Sequence, residues 1–230
     1  MSIVVAIDGP AGSGKGTVTK LVGEKLGLVN IDTGATYRCV TLAAINKGYK
    51  LEEENKIVNL LNEIDIEFKK KENEEKVLLN GKDVTKEIRS KEVNEMVSQV
   101  SHIPKVRENM ANFQRKIAEG KNVIMEGRDI GTNVFPNADV KIYLDATPEE
   151  RAKRRMKQNE EKGIESNYEE ILENIKFRDH NDKTSSVAPL KQSEDAIYID
   201  SSNLSIEEVT EKIIEIINYH FGDASKKGKN

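Results

Sequence analysis

The sequence of 230 residues contains one cysteine, three histidines and no tryptophan, and these scarcities exclude several kinds of site. Because Cys39 has no second cysteine to pair with, no disulfide can form within the chain, which favours a reducing compartment. His102, His180 and His220 are far apart and show no metal-ligand spacing. We therefore expect no dedicated metal site built from these side chains.

Excess positive charge and long apolar runs are also lacking. The chain has 36 Lys and Arg against 40 Asp and Glu, a net charge of −4, which argues against nucleic-acid binding through a basic surface. No apolar run approaches ~18 residues, and the N-terminal run is too short for a signal peptide. We expect a soluble cytoplasmic protein that binds neither nucleic acid nor membranes.

The apolar residues that are present form five short runs typical of buried strands: residues 3–7, 28–31, 122–126, 140–145 and 196–200. Helical patterns follow three of these runs, as expected of crossovers in a parallel sheet. Capping boxes at Thr147 with Glu150 and at Ser205 with Glu208 indicate where two of the helices begin. The pattern predicts an α/β fold with a five-stranded parallel sheet flanked by helices.

Residues 64–88 interrupt this alternation. Apolar and polar residues alternate on both sides of Asn80-Gly81, a dipeptide typical of a tight hairpin turn. We predict a small antiparallel sheet inserted here, in which the charged run at 69–76 forms a solvated turn. The polar residues 222–230 are predicted to be a disordered tail.

The segment IDGPAGSGKGT has the G-x-x-x-x-G-K spacing of a P-loop, between an apolar strand and an amphipathic helix. Bare backbone N–H groups can curl around phosphate oxygens, and the helix dipole favours the same negative charge. The residues expected to bind the triphosphate are Gly9, Pro10, Ala11, Gly12, Ser13, Gly14, Lys15, Gly16 and Thr17. The motif predicts a P-loop nucleoside triphosphate hydrolase-like fold in which Lys15 reaches the β- and γ-phosphates.

The hydroxyl that usually follows the P-loop lysine is displaced by one position. Gly16 follows Lys15 directly, and Thr17 comes next. Mg²⁺ would then be held mainly through water and phosphates, which this ion tolerates well. Glu126, at the end of the third predicted strand, is the acidic residue expected near the ion. A helix-capping or surface role is the alternative for this glutamate.

Arginines indicate what is done with the triphosphate. Arg151 and Arg155 lie four residues apart, on one face of a predicted helix, and neither has a carboxylate three or four residues away. We interpret the pair as part of a lid that closes on transferring phosphates, with a solvated basic face as the alternative. Arg38, Arg107 and Arg128 lie near segment ends and, with Arg178, indicate a second substrate, an acceptor that carries a phosphate.

Further segments occur together with the P-loop: IDTGATYR, SQVSHIPKVRE, EGRDIGTNVFPNADVKIYLDATPEERAKRR and VAPL. In order and spacing they resemble the bacterial-type cytidylate kinases, over about residues 3–220. The resemblance implies MgATP-dependent phosphorylation of CMP and dCMP, with small-molecule nucleotides as partners, and we expect a monomer. It also implies one kinase domain over 1–221, whose parts are a core at about 1–32, 95–146 and 190–221, an acceptor-binding region at about 33–94 and a lid at about 147–188.

The resemblance assigns roles at the matching positions. The residues that would bind the acceptor are Thr33, Tyr37, Arg38, Ser98, Arg107, Arg128, Asp129, Arg178 and Asp182. Those that would carry catalysis are Lys15, Arg128, Arg151 and Arg155. Within the first set, Arg38 and Arg128 would hold the acceptor phosphate. Ser98, Arg107 and Asp129 would read the cytosine edge, and Arg178 with Asp182 would contact the ribose.

The chain departs from the family pattern at Ser185, where an arginine usually precedes the proline of VAPL by four residues. One contact to the acceptor phosphate is therefore missing. Our hypothesis is that Lys183 partly replaces that arginine, and the alternative is that Lys183 is simply solvated.

Two other functions stay open from the residues alone. One is a kinase of this fold that acts on UMP, AMP or a sugar. The other is a nucleotide-binding switch without an acceptor, although the guanine-reading Asn-Lys-x-Asp type of motif is not found in the sequence.

Overall fold

A computed structural model describes residues 2–71, 74–161 and 163–227. The strands are β1 Val4–Asp8, β2 Val29–Asp32, β3 Ile66–Lys71, β4 Glu74–Leu79, β5 Lys82–Asp83, β6 Val123–Gly127, β7 Val140–Asp145 and β8 Ile197–Asp200. The helices are α1 Lys15–Leu26, α2 Thr33–Asn46, α3 Glu54–Leu60, α4 Lys91–His102, α5 Pro104–Ala118, α6 Pro148–Glu161, α7 Tyr168–Thr184 and α8 Ile206–Lys227. They fall into two compact units, residues 1–31 with 118–230 and residues 32–117.

The first unit contains a five-stranded parallel sheet in the order β2-β6-β1-β7-β8. Alternate strand residues, among them Val5, Ile7 and Ile142, point to one face and form a core with Val22 of α1 and Ile213 of α8. Because successive side chains in a strand point to opposite faces, the neighbours of Ile7, Ala6 and Asp8, are directed to the other face.

All five strands predicted for this sheet are confirmed, each within one residue at either end. Of the two predicted capping boxes, one is complete and the other is half formed. Ser205 Oγ accepts the N–H of Glu208 at 3.2 Å, and Glu208 Oε2 accepts the N–H of Ser205 at 2.8 Å. Thr147 Oγ1 accepts the N–H of Glu150 at 3.2 Å, which completes one half of the second box. Local chemistry therefore sets where α6 and α8 begin.

The second unit combines helices α2 to α5 with a three-stranded antiparallel sheet in the order β3-β4-β5. Its core is formed by apolar side chains such as Cys39, Ile57, Ile88 and Val100, which are fully buried. The predicted insertion is thus confirmed as a separate antiparallel sheet.

The hairpin turn at Asn80-Gly81 is also confirmed, since both residues have positive φ, 50° and 77°. The solvated turn predicted for residues 69–76 is wrong in extent. β3 continues to Lys71 and β4 begins at Glu74, so that Lys69 pairs with Lys76 across the ladder. Charged side chains are compatible with a paired hairpin when one face of the sheet is exposed to water. Residues 72 and 73, within the predicted turn, lie outside the described residues.

The bounds of the two units differ from those of the predicted subdivisions, which stay predictions. The predicted acceptor-binding region at 33–94 lies within the second unit, which continues through α4 and α5 to residue 117. At the C-terminus, α8 continues to Lys227, into the segment predicted to be disordered, and residues 228–230 lie outside the described residues. Among the described helices, none combines the length and apolar composition required to cross a bilayer.

Candidate active site

The glycine-rich loop connects the end of β1 to the first residue of α1. Gly9 has φ 153°, and a Cβ at this position would lie 2.0 Å from the carbonyl oxygen of Leu144, so only glycine fits against β7. Gly14 has φ 90° and directly precedes the helix, leaving the first N–H groups of α1 without a side-chain cap. This geometry exposes backbone donors to an anion at the end of a helix, as predicted for a P-loop.

Lys15 is the first residue of α1 and is 4% exposed. Its Nζ donates to the carbonyl oxygen of Pro10 at 2.8 Å and lies 3.5 Å from Ser13 Oγ. Burial, and then the charge of Arg128, lower the pKa of Lys15 to about 7, although Glu126 and Asp8 act in the opposite direction. An anionic phosphate would favour the charged lysine much more than a loop carbonyl does, so the site gains positive charge when such a ligand binds.

Glu126, the last but one residue of β6, lies over the start of α1. A Cβ on Gly16 would be 2.7 Å from Glu126 Oε1, which places a carboxylate oxygen beside the first turn of the helix. The neighbouring residue, Thr17, is exposed. A carboxylate and a hydroxyl are oxygen donors of the kind that Mg²⁺ prefers, so the residues present fit this ion.

Arg128 directly follows β6 and forms an ion pair with α7. Its Nε donates to Asp182 Oδ2 at 2.9 Å. Burial alone would lower the pKa of Arg128, but Asp182, Glu126 and Asp8 together outweigh burial and raise this pKa. Arg178 lies on α7, one turn before Asp182. Burial, and then the charge of Arg128, lower the pKa of Arg178. The structure thus gathers Arg128, Arg178 and Asp182, three residues predicted to bind the acceptor.

Asp129 follows Arg128 and begins a π-helical turn at Ile130–Val134. It is 4% exposed, and its Oδ2 accepts a hydrogen bond from the side chain of Asn133 at 2.9 Å. Sequence reasoning missed the residue that holds this turn, Asp8 at the end of β1. Asp8 accepts the N–H groups of Ile130 and Gly131, and burial raises its pKa to about 6. The available signal was a carboxylate that directly follows the apolar run at residues 3–7.

Arg151 has a carboxylate partner on another helix, which spacing along its own helix does not reveal. Its side chain is 2% exposed, and its two Nη atoms donate to the two carboxylate oxygens of Asp179 on α7. Nε donates to Ala146 O at 2.9 Å, and Nη1 also donates to Ala11 O in the glycine-rich loop at 3.1 Å. A search at three or four residues could not find Asp179, which is 28 positions away. Arg155 is exposed and forms no ion pair within the described residues.

Arg154 is a second residue that sequence reasoning missed. It lies four residues after Glu150 on α6, a spacing that favours a local ion pair. That contact is present at 3.4 Å. Arg154 also reaches the end of β8, where Nη1 donates to Ser201 Oγ at 3.1 Å and Nη2 donates to Ser201 O. A Cβ on Gly14 would lie 4.0 Å from Arg154 Nη1, so this guanidinium borders the glycine-rich loop.

In the second unit, two of the residues predicted to bind the acceptor are in contact. The guanidinium of Arg107 lies 5.4 Å from the centre of the Tyr37 ring, a cation–π distance, and its Nε donates to Ser101 O at 3.1 Å. Arg107 is 7% exposed. Burial and these partners hold the guanidinium in one orientation.

The other predicted acceptor residues of this unit lie on α2 and α4. Arg38 Nη1 donates to Asn94 Oδ1 at 2.7 Å and to Ile88 O at 3.2 Å. Thr33 is the first residue of α2 and is buried, and Ser98 lies half-buried on α4.

Ser185 ends α7, and its hydroxyl is used locally. Oγ donates to Val187 O at 2.8 Å and accepts the N–H of Val187 at 3.3 Å. Lys183 is exposed and borders a cavity with Asp145, Asp179 and Asp200. The hydroxyl of Ser185 is therefore used within its own loop, whereas Lys183 has a long, charged and exposed side chain that can reach a phosphate.

The family model and the curated relatives point to the same family. The sequence model of the family described as cytidylate kinase matches residues 5–219. A cytidylate kinase of Caldicellulosiruptor saccharolyticus is 50% identical over 214 residues, 93% of this chain and 95% of that protein. The cytidylate kinase of Bacillus subtilis is 47% identical over 213 residues, with coverages of 93% and 95%. Among solved structures, a shikimate kinase from Bacteroides thetaiotaomicron has a TM-score of 0.49 at 16% identity, covering 94% of this chain and 98% of that one.

Proposed function

Because the chain belongs to the cytidylate kinase family, we infer that it transfers a phosphoryl group from ATP to CMP or dCMP and releases the diphosphate. The observation that carries this inference is the family match over residues 5–219, which includes both the glycine-rich loop and the predicted acceptor residues. The family predicted from the sequence segments is confirmed by the same match.

For the donor, we propose that the glycine-rich loop and Lys15 bind the phosphates of ATP. The N–H groups at the start of α1 would donate to oxygens of the β-phosphate, and Lys15 would exchange the Pro10 carbonyl for phosphate oxygens. Transfer of a phosphoryl group needs little covalent help from a protein and depends on positioning and charge. The exchange supplies both, because a lysine with a depressed pKa becomes charged where negative charge accumulates.

For the acceptor, we propose that Arg128 and Arg38 bind the phosphate of CMP. Arg128 is held by Asp182, whose second function would be to contact the ribose together with Arg178. A guanidinium that is already oriented by a carboxylate loses less side-chain entropy when it binds a phosphate.

We further propose that Arg107, Asp129 and Ser98 read the cytosine. Arg107 donates and Asp129 accepts, which matches a base edge with one carbonyl and one amino group. Tyr37 supports the orientation of Arg107, and Thr33 would line the acceptor site.

Mg²⁺ is proposed as the ion that accompanies ATP. Glu126 and Thr17 would hold it through water, since their oxygens lie at the first turn of α1. When bound, the ion would neutralise charge on the β- and γ-phosphates.

From its position on α6, Arg155 is proposed to bind the phosphate that is being transferred. Arg151 would orient the glycine-rich loop through the carbonyl oxygen of Ala11.

The experiment that tests this function is an acceptor panel with MgATP, in which ADP formation is followed for CMP, dCMP, UMP and AMP and without any acceptor. We expect kcat/KM for CMP to exceed that for AMP by at least about 100-fold, because a wrong base leaves buried polar groups unpaired. Similar values for CMP and AMP would contradict the assignment, and ADP formation without an acceptor would favour a switch protein. The cytoplasmic location and monomeric state stay proposals, and sedimentation of the purified protein tests the latter.

A further inference from the structure

We infer that Asp8 is a positioning residue for acceptor recognition, holding the turn after β6 so that Arg128 and Asp129 keep the orientation that CMP requires. The inference rests on the function proposed above, since Arg128 and Asp129 are the residues that would bind the acceptor. Asp8 itself would touch neither substrate and would act through the backbone of the turn.

The position of Asp8 explains why it can hold this turn. It is the last residue of β1, and β1 lies beside β6 with Asp8 paired to Gly127, the residue before Arg128. Its side chain is directed to the face opposite the core of α1 and α8, where it is 5% exposed. The carboxylate is therefore enclosed and directed at the first residues that follow β6.

Both oxygens of Asp8 are used by that segment. Oδ1 accepts the N–H of Ile130 at 2.8 Å, and Oδ2 accepts the N–H of Gly131 at 2.7 Å. These two amides directly follow Asp129 and begin the π-helical turn Ile130–Val134. Two bonds from one buried carboxylate fix two successive peptide planes, and with them the direction in which Asp129 leaves the backbone.

The close approach at Gly131 supports the same conclusion. A Cβ on Gly131 would lie 3.4 Å from Asp8 Oδ2 and 3.2 Å from Cδ of Lys141. The turn is therefore packed closely against Asp8 and Lys141, and a methyl group at Gly131 would press on both side chains. Substitution of Gly131 gives a way to move the turn without changing any charge.

An asparagine at position 8 would preserve the shape of the side chain but not its chemistry. Its one carbonyl oxygen could accept one of the two N–H groups, while its amide group would face the other as a second donor. One buried N–H would lose its partner, and the turn would shift to relieve this. The structure offers a matched control at the other end of β1, where Asp139 Oδ2 accepts the single N–H of Val4 at 2.8 Å. Asparagine can keep that single bond.

The test compares Asp8→Asn with Asp139→Asn in steady-state kinetics with CMP and ATP. For Asp8→Asn we expect KM for CMP to rise about tenfold, as for the loss of one hydrogen bond to a charged group, with KM for ATP changed less than about threefold. We expect the ratio of kcat/KM for CMP to that for UMP to fall in the same variant. Asp139→Asn should match the unsubstituted enzyme in all of these values.

Gly131→Ala provides the independent variant in case Asp8→Asn does not fold, and it should raise KM for CMP selectively as well. The inference is overturned if KM for CMP and the CMP-to-UMP ratio are unchanged in Asp8→Asn, or if KM for both substrates rises by the same factor. If Asp8→Asn does not fold, an unchanged KM for CMP in Gly131→Ala overturns it. A failure of the proposed function is distinguishable, because the unsubstituted enzyme would then not phosphorylate CMP at all.

Discussion

Replacing Arg151 by methionine should destabilise the protein strongly. The side chain is 2% exposed, and the substitution would leave Asp179, with 12% side-chain exposure, without its bidentate partner. The carbonyl oxygens of Ala146 and Ala11 would also lose a donor. Removing one member of a buried ion pair costs about 3–5 kcal/mol. For a chain of this size that corresponds to a fall in Tm of roughly 6–20 °C.

Thermal unfolding followed by circular dichroism, together with urea unfolding, measures this effect. Arg155→Met is the matched control, since Arg155 lies one turn later on the same helix, is exposed and has no ion pair within the described ranges. Its free energy of unfolding should change by less than about 0.5 kcal/mol. A double variant, Arg151→Met with Asp179→Leu, should recover most of the lost stability because no buried charge remains unpaired.

A specific result would refute this reasoning. If Arg151→Met unfolded at the same temperature as Arg155→Met, the pair with Asp179 would not persist in solution. Arg151 would then be a mobile phosphate-binding residue, as helix spacing alone predicts. If both variants lost activity but only Arg151→Met lost stability, the two arginines would have the separate roles that the structure indicates.

Three further predictions concern Lys15, Lys183 and Asp8. Lys15→Ala should lower kcat more than about tenfold, and a smaller loss of kcat would contradict the assigned role. The Tm should stay the same, because a buried ammonium whose pKa is lowered to about 7 does not stabilise the fold. Since Ser185 Oγ is bound to Val187, Lys183→Ala should raise KM for CMP more than KM for ATP, and adding Ser185→Arg should reverse this; an unchanged KM for CMP would reject compensation by Lys183. Burial raises the pKa of Asp8 from 3.8 to about 6, so between these values the folded state binds a proton that the unfolded chain has released. Stability is therefore lost as the pH rises through this window, by about 3 kcal/mol relative to Asp8→Asn, and urea unfolding at pH 4 to 7 measures the difference.

Most of the fold was predictable because its signals are local. The run at residues 140–145 coincides with β7, and the box of Ser205 and Glu208 marks the start of α8 with both reciprocal bonds. Strand composition and capping act over a few residues, so a single sequence carries them completely. The turn predicted for the charged run at 69–76 is wrong in extent, because a strand ladder requires only that its backbone groups pair, whatever the charge of the side chains.

The candidate site was predictable only where its chemistry lies in the backbone of one segment. In the glycine-rich loop, Gly9, Gly12 and Gly14 have the positive φ angles that a loop of bare backbone N–H groups predicts. Contacts between distant residues were not accessible in the same way. Asp8 and Ile130 are 122 positions apart, and Arg154 and Ser201 are 47 apart. Periodicity reports neighbours on the same element, so it is silent about such pairs.

Arg151 and Arg155 show why burial decides what an arginine does. Both carry the same charge on the same helix face, and from the sequence they are equivalent. A phosphate that approached Arg151 would have to displace a bidentate carboxylate and two carbonyl oxygens inside the protein. A phosphate that approached Arg155 would displace only water, because that side chain is exposed. The same cation therefore fixes the packing of α6 on α7 at one position and remains available for transient binding at the other.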